Sequence, residues 1–117
     1  MLKIYGIKNC NSVKKTLDLI TALGLAYEFH DYKKQGIDAD HVEKWLAAKG
    51  SEVILNKKGT TWKKLSAAEQ QLALSSQAQL IDALTTHTSL IKRPVIETEH
   101  DIIVGFNEDD IRALSKN

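Results

Sequence analysis

The chain holds one cysteine, Cys10, within Gly6-Ile7-Lys8-Asn9-Cys10-Asn11-Ser12-Val13. Its position decides what chemistry it could do. It lies between an alternating run, Leu2-Lys3-Ile4-Tyr5, and a helical pattern that begins just after it. A helix N-terminus carries about half a positive charge, because its first N–H groups have no intrahelical partner. A thiolate placed there is stabilised, and its pKa can fall from about 8.5 to between roughly 3.5 and 7.5. Lys8 and Lys14, with Lys15, would add positive potential. Only the thiolate is a strong nucleophile, so this placement can make a reactive group. Free cysteine also serves as a small buried hydrophobe, and both readings stand at this point.

A dithiol redox site needs a second Cys three positions on, where this chain has Val13. No resolving thiol exists within the chain. Turnover at Cys10 would therefore take its second thiol from another molecule, and glutathione is the obvious supplier in a reducing compartment. Ser12 could donate a hydrogen bond to the sulfur, and Asn11 or Ser12 could cap the helix.

Arg93-Pro94 contains the only proline. Arg93 could offer a forked donor to an oxyanion or carboxylate, or simply be a solvated surface residue. Lys57-Lys58-Gly59-Thr60-Thr61-Trp62-Lys63-Lys64 forms a basic turn that could bind an anion or present a docking face. Its glycine spacing is not that of a P-loop. The four histidines, His30, His41, His87 and His100, have no metal-ligand spacing with one another or with Cys10, and no metal site is expected.

The elements that must position these groups follow from periodicity. Residues 2 to 6 read as a strand ended by Gly6. Val13, Leu17 and Ile20 share one face of the first helix, which Gly24 stops. Tyr27 to Tyr32 alternates and reads as a second strand, so the two strands form a parallel βαβ unit. Lys33 to Gly36 reads as a loop. Asp38 caps a helix with Val42, Trp45 and Leu46 inward, ended by Gly50. Residues 51 to 65 give no clear pattern. Ser66-x-x-Glu69 and Ser76-x-x-Gln79 are capping boxes opening two helices, with Leu72 in the first and Leu80, Ile81 and Leu84 in the second. Val95-Ile96 and Ile102-Ile103-Val104 flank the turn Glu99-His100-Asp101 as an antiparallel hairpin. Asn107 caps a last helix with Ile111 and Leu114 inward.

At 117 residues the chain suits one domain, which buries roughly two-thirds of its unfolded surface. Its single Cys excludes a disulfide framework and a multi-thiolate zinc site. A net charge of +1 argues against bulk electrostatic binding to nucleic acid or membrane. No stretch approaches the roughly 20 apolar residues of a membrane helix, and Met1 to Gly6 lacks a signal-peptide core. A cytoplasmic monomer with no bound cofactor is the expectation.

Taken in order, several segments resemble a known family. They are Gly6-Ile7-Lys8-Asn9-Cys10, Phe29-His30-Asp31-Tyr32, Leu55-Asn56-Lys57-Lys58-Gly59-Thr60-Thr61-Trp62-Lys63-Lys64-Leu65, Leu90-Ile91-Lys92-Arg93-Pro94 and Val104-Gly105-Phe106. Together the set resembles the ArsC/Spx family, in its small YffB-like branch, nearly end to end. The resemblance implies an α/β, thioredoxin-like fold over residues 1–117, with a helical insertion at about 38–88 between βαβ and ββα halves. It implies a reactive Cys10, a cis-proline at Pro94 facing it, and an arginine at 93 that contacts oxyanion or thiol substrates. Arsenate reductases of this kind carry three arginines; here Lys57 and Phe106 stand where two are expected. Lysine is a poorer forked donor and phenylalanine none, which points away from arsenate reduction. Spx-type regulators that bind RNA polymerase carry a Cys-x-x-Cys switch, which Val13 removes. The branch left is a glutathione-dependent thiol reductase acting on glutathione or a glutathionylated substrate. In that reading Cys10 is catalytic, Arg93, Pro94, Lys57, Asn11 and Ser12 bind substrate, and Lys8 and Lys14 tune the thiol.

Overall fold

A computed structural model describes residues 1–116. The chain divides into two compact units, one made of residues 1–35 with the segment from Arg93 onward, the other of Gly36–Lys92.

The first unit holds a four-stranded mixed sheet. Strand β1 (Leu2–Gly6) leads through α1 (Asn11–Ala22) to β2 (Tyr27–Asp31). The short helix α2 (Tyr32–Gln35) follows directly. After the second unit come β3 (Val95–Glu97) and β4 (Ile102–Val104), and then α8 (Glu108–Ala113) with a 3-10 turn, Leu114–Lys116. The sheet order is β2-β1-β3-β4, with β1 and β2 parallel and the other pairs antiparallel. A βαβ half joined to a ββα half in this order is the thioredoxin-like fold that the family resemblance implies, and the element order is the one the periodicity predicts.

Its core is built largely of isoleucine. Ile4, Ile96 and Ile103 come from the sheet, Ile20 from α1 and Ile111 from α8. Ile4 pairs with Ile96, and Ile96 with Ile103, so one residue from each of three strands meets on the face that α1 and α8 cover. Burying each of these side chains contributes about 1.5–3 kcal/mol relative to leaving it exposed. The hairpin turn is closed by Thr98 N–H donating to the Asp101 carbonyl at 3.0 Å.

The second unit is helical. It comprises α3 (Ala39–Lys49), α4 (Ser51–Ile54), α5 (Thr60–Lys64), α6 (Ala67–Ser75), α7 (Gln77–Thr86) and a 3-10 turn, Thr88–Leu90. Asp38 caps α3 by accepting from His41 N–H, and Val42, Trp45 and Leu46 are buried, as the spacing predicts. Gly50, at φ 83°, ends α3 in a conformation that a Cβ would disfavour. A short antiparallel bridge between Leu55 and Ile91 ties the ends of the unit, with Asn56 N–H donating to Leu90 O and Lys92 N–H to Ile54 O, both at 2.8 Å.

Three local readings are corrected. Residues 33–35 are not loop but the body of α2, because the Asp31 carboxylate accepts from Lys33 and Lys34 N–H and starts a helical turn. The cap of α1 is Cys10, while Asn11 and Ser12 already lie within the helix. Of the two capping boxes, Ser66–Glu69 closes in both directions; at Ser76 the hydroxyl accepts from Gln79 N–H.

Candidate active site

The loop after β1 and the segment before β3 converge because of the sheet's register. Gly6 lies opposite Asp31 across the parallel β1–β2 pair, so both chains leave the sheet at the same end. Tyr5 lies opposite Val95 across the antiparallel β1–β3 pair, so Arg93 and Pro94 enter β3 at that end too. Gly6 lets α1 pack close. A Cβ there would sit 2.7 Å from Cγ2 of Val13, a fully buried β-branched residue with little freedom to yield.

Cys10 is half-buried, in extended backbone, and its carbonyl accepts the first helical bond from Lys14 N–H at 3.0 Å. Its side chain makes no short cap bond of the kind that a hydroxyl or carboxylate makes. The larger sulfur instead draws on several donors together. Partial burial pushes the thiol up. The Val13 N–H, the Arg93 guanidinium, the Ser12 N–H and the Arg93 charge push it down, and together they win, so the thiol lies below its ordinary value. A positively charged fork and two helix N-terminal N–H groups on one sulfur are what a stabilised thiolate requires.

Arg93 is half-buried, and the bond to Pro94 is cis. Pro94 is buried, and its carbonyl accepts from Gly105 N–H at 2.8 Å, which anchors this segment to the end of β4. Arg93 also acts on the Tyr32 phenol, favouring its ionised form. Tyr32 is 1% exposed, and burial raises its phenol well above the ordinary tyrosine range, so it stays neutral. The groups gathered at this candidate site are therefore Cys10, Arg93 and Tyr32, contributed by three separate segments of the first unit.

Tyr32 was missed in the sequence because the alternation from Tyr27 continues through it. The signal that could have found it is Asp31, whose carboxylate takes two N–H groups just downstream and so marks a strand end rather than a strand interior. Ser12 contributes through its backbone N–H, while its carbonyl accepts from Thr16 Oγ1 at 2.8 Å. Asn11, Lys8 and Lys14 have exposed side chains, and the charge that acts on the sulfur is that of Arg93. Lys57 belongs to the helical unit, exposed, with its ammonium 6.0 Å from the centre of the Trp62 ring. No group of three or more His, Cys, Asp or Glu among the described residues could hold a metal ion. No helix among them is long and apolar enough to cross a membrane.

The chain as a whole has known relatives. The solved protein YFFB is 39% identical, superposes with a TM-score of 0.90, and the match covers 97% of each chain. An arsenate reductase (ArsC) related protein from Brucella melitensis is 35% identical, with a TM-score of 0.73, over 99% of this chain and 95% of that one. The global transcriptional regulator Spx of Streptococcus mutans is 26% identical over 97% of this chain and 82% of the regulator. The model of the ArsC family matches residues 5–114, and the chain belongs to that family.

Proposed function

We propose that the chain is a monothiol reductase that works with glutathione. The observation that carries this reading is the Arg93 guanidinium on the Cys10 sulfur at the start of α1, in a chain with no second cysteine. The Cys10 thiolate attacks one sulfur of a glutathione mixed disulfide. A Cys10–glutathione disulfide forms, and the substrate sulfur leaves as a thiolate that takes a proton from water. A second glutathione thiolate then attacks the glutathione sulfur, releasing oxidised glutathione and the Cys10 thiolate. The exchange balances: the mixed disulfide and one glutathione thiol are consumed, and the substrate thiol and one oxidised glutathione are released. Arg93 stabilises Cys10 both as attacking and as leaving thiolate. The backbone beside Pro94 would align the glutathione peptide as a short added strand.

The test is incubation with oxidised glutathione followed by intact-protein mass spectrometry. A single glutathione adduct on the wild type, absent in Cys10→Ser and removed by reduced glutathione, is expected. No adduct at any pH would overturn the reading.

A second reading draws on the relatives named Spx. In it the chain is a regulator docking on a protein partner, RNA polymerase being the one that the sequence resemblance suggests, with the basic turn from Lys57 to Lys64 as the face. With one cysteine such a regulator could not be switched by an intrachain disulfide. Stoichiometric co-purification with polymerase, retained in Cys10→Ser, would put this reading first.

A further inference from the structure

We propose that β2 is a dimer edge, which pairs antiparallel about Phe29 with the β2 of a second copy of this chain, in place of the monomer expected from the sequence. The sheet order β2-β1-β3-β4 gives β2 a neighbour on one side only. The parallel register fixes which of its backbone groups that neighbour uses. Leu2 lies opposite Tyr27 and its N–H donates to Ala26 O at 3.2 Å, so the ladder takes up Ala26, Glu28 and His30. The N–H and C=O groups of Tyr27 and Phe29, and the N–H of Asp31, point away from β1. Among the described residues no loop, turn or cap bond of the backbone engages Tyr27 or Phe29. Such a row of groups is a template for another strand.

The sequence of β2, Tyr27-Glu28-Phe29-His30-Asp31, suits its own copy. With Phe29 on the two-fold axis, Phe29 meets Phe29, Tyr27 meets Asp31, and Glu28 meets His30 of the second copy. The outward groups then fall on the hydrogen-bonded pairs of the new ladder, and Glu28 and His30 on the non-hydrogen-bonded pairs, where side chains come closest. A carboxylate faces an imidazole twice, once on each side of the axis, and the imidazole offers an N–H in either charge state. Glu28 is exposed, and on the same face His30 is half-buried with its ring 5.2 Å from that of Tyr5. Phe29 is half-buried on the opposite face, where the two rings would meet across the strands. The Asp31 carboxylate is turned back onto Lys33 and Lys34 N–H, at 3.0 and 3.3 Å. No proline, lysine or bulge blunts this edge. The other edge, β4, is three residues long, and Ile102-Ile103-Val104 has no polar pair to set a register.

The experiment is sedimentation velocity of the full chain over a concentration series, in reductant so that Cys10 cannot bridge two copies. Wild type is expected to pass from monomer to dimer as concentration rises. Glu28→Lys sets a cation against His30 at both pairs and is expected to weaken the dimer about tenfold or more. Combining it with His30→Glu restores opposite charges and is expected to recover the dimer. A chain that stays monomeric to millimolar concentration overturns the proposal, as does a dimer that Glu28→Lys leaves unchanged or that the folded exchange variant fails to recover. If the His30 variant does not fold, amide exchange on wild type gives the second readout. Raising the concentration is expected to slow exchange at Tyr27, Phe29 and Asp31, and to leave Glu28 and His30, already bonded to β1, as they were. Protection that grows elsewhere and not at those three positions overturns the proposal. Both readouts are independent of thiol chemistry at Cys10.

Discussion

The Arg93 guanidinium acts on the Cys10 thiol and helps hold it below its ordinary value, linking the residue before the cis-proline to the cap of α1. The two lie 83 positions apart in sequence, with the whole helical unit between them. The sheet register brings them together, and their charges give the pairing its chemical effect. A guanidinium near a sulfur stabilises the thiolate and not the thiol.

Replacing Arg93 separates the charge from the fork. Arg93→Met removes both, and Arg93→Lys keeps the charge but loses the planar donor set. Both variants are expected to alkylate more slowly than wild type at neutral pH, Met by about tenfold or less and Lys by less than Met. Iodoacetamide rates measured across pH check this. Rates unchanged in Arg93→Met would remove Arg93 from the account.

Thiolate stabilisation also appears in folding. The folded chain holds Cys10 at a lower pKa than the unfolded chain does. The resulting stability is fully present above the unfolded pKa and is lost as pH falls through the folded one. Cys10→Ser is therefore expected to cost more stability under alkaline than under acidic conditions. Urea unfolding of both proteins over a pH series measures the difference. A gap that stays flat, or widens toward acid, would contradict the low thiol pKa.

Gly6 is expected to be intolerant of a side chain. An alanine Cβ would press on Val13 Cγ2 at 2.7 Å, and Val13 is both stiff and fully buried. Gly6→Ala should cost about 1–3 kcal/mol by overpacking and, by displacing the first turn of α1, slow Cys10 alkylation. Gly6→Ala with wild-type stability and reactivity would show that α1 has room to move.

The capping box of α6 gives a prediction in the helical unit. Ser66 and Glu69 exchange two bonds, at 3.0 and 3.1 Å. Ser66→Ala should cost about 1 kcal/mol near neutral pH. The Ser66 N–H and hydroxyl hold the Glu69 carboxyl below the ordinary carboxylate range. Its contribution is therefore present above the unfolded value and fades as pH falls through the folded one. Amide exchange in α6 should show the Ser66→Ala penalty shrinking in acid, and a penalty independent of pH would deny Glu69 its part.

Much of this was legible in the chain. Period-two alternation marked β1, and the spacing of Val13 and Ile20 marked the inner face of α1. The turn residues Glu99-His100-Asp101 marked the β3–β4 hairpin, and Asp38, Ser66, Ser76 and Asn107 marked helix starts by their side-chain oxygens. Cys10 and Arg93 were legible as chemistry because a lone thiol at a strand-to-helix loop and an Arg-Pro pair before a strand both have physical uses. Tyr32 was not, because a strand and the first residue of a following helix share one alternation until a capping carboxylate breaks it. The helices α4 and α5 were not legible either, since four or five residues are too few to show a helical period. The α1 cap was misread because capping is usually assigned to oxygen, whereas here the sulfur occupies the position and leaves Asn11 and Ser12 inside the helix.

The most direct test of the central claim is the pH profile of Cys10 alkylation, with the product of oxidised glutathione treatment weighed by mass spectrometry. The account predicts a midpoint below the ordinary thiol value of about 8.5 and one glutathione on Cys10. A midpoint at or above that value, with no adduct, would contradict it.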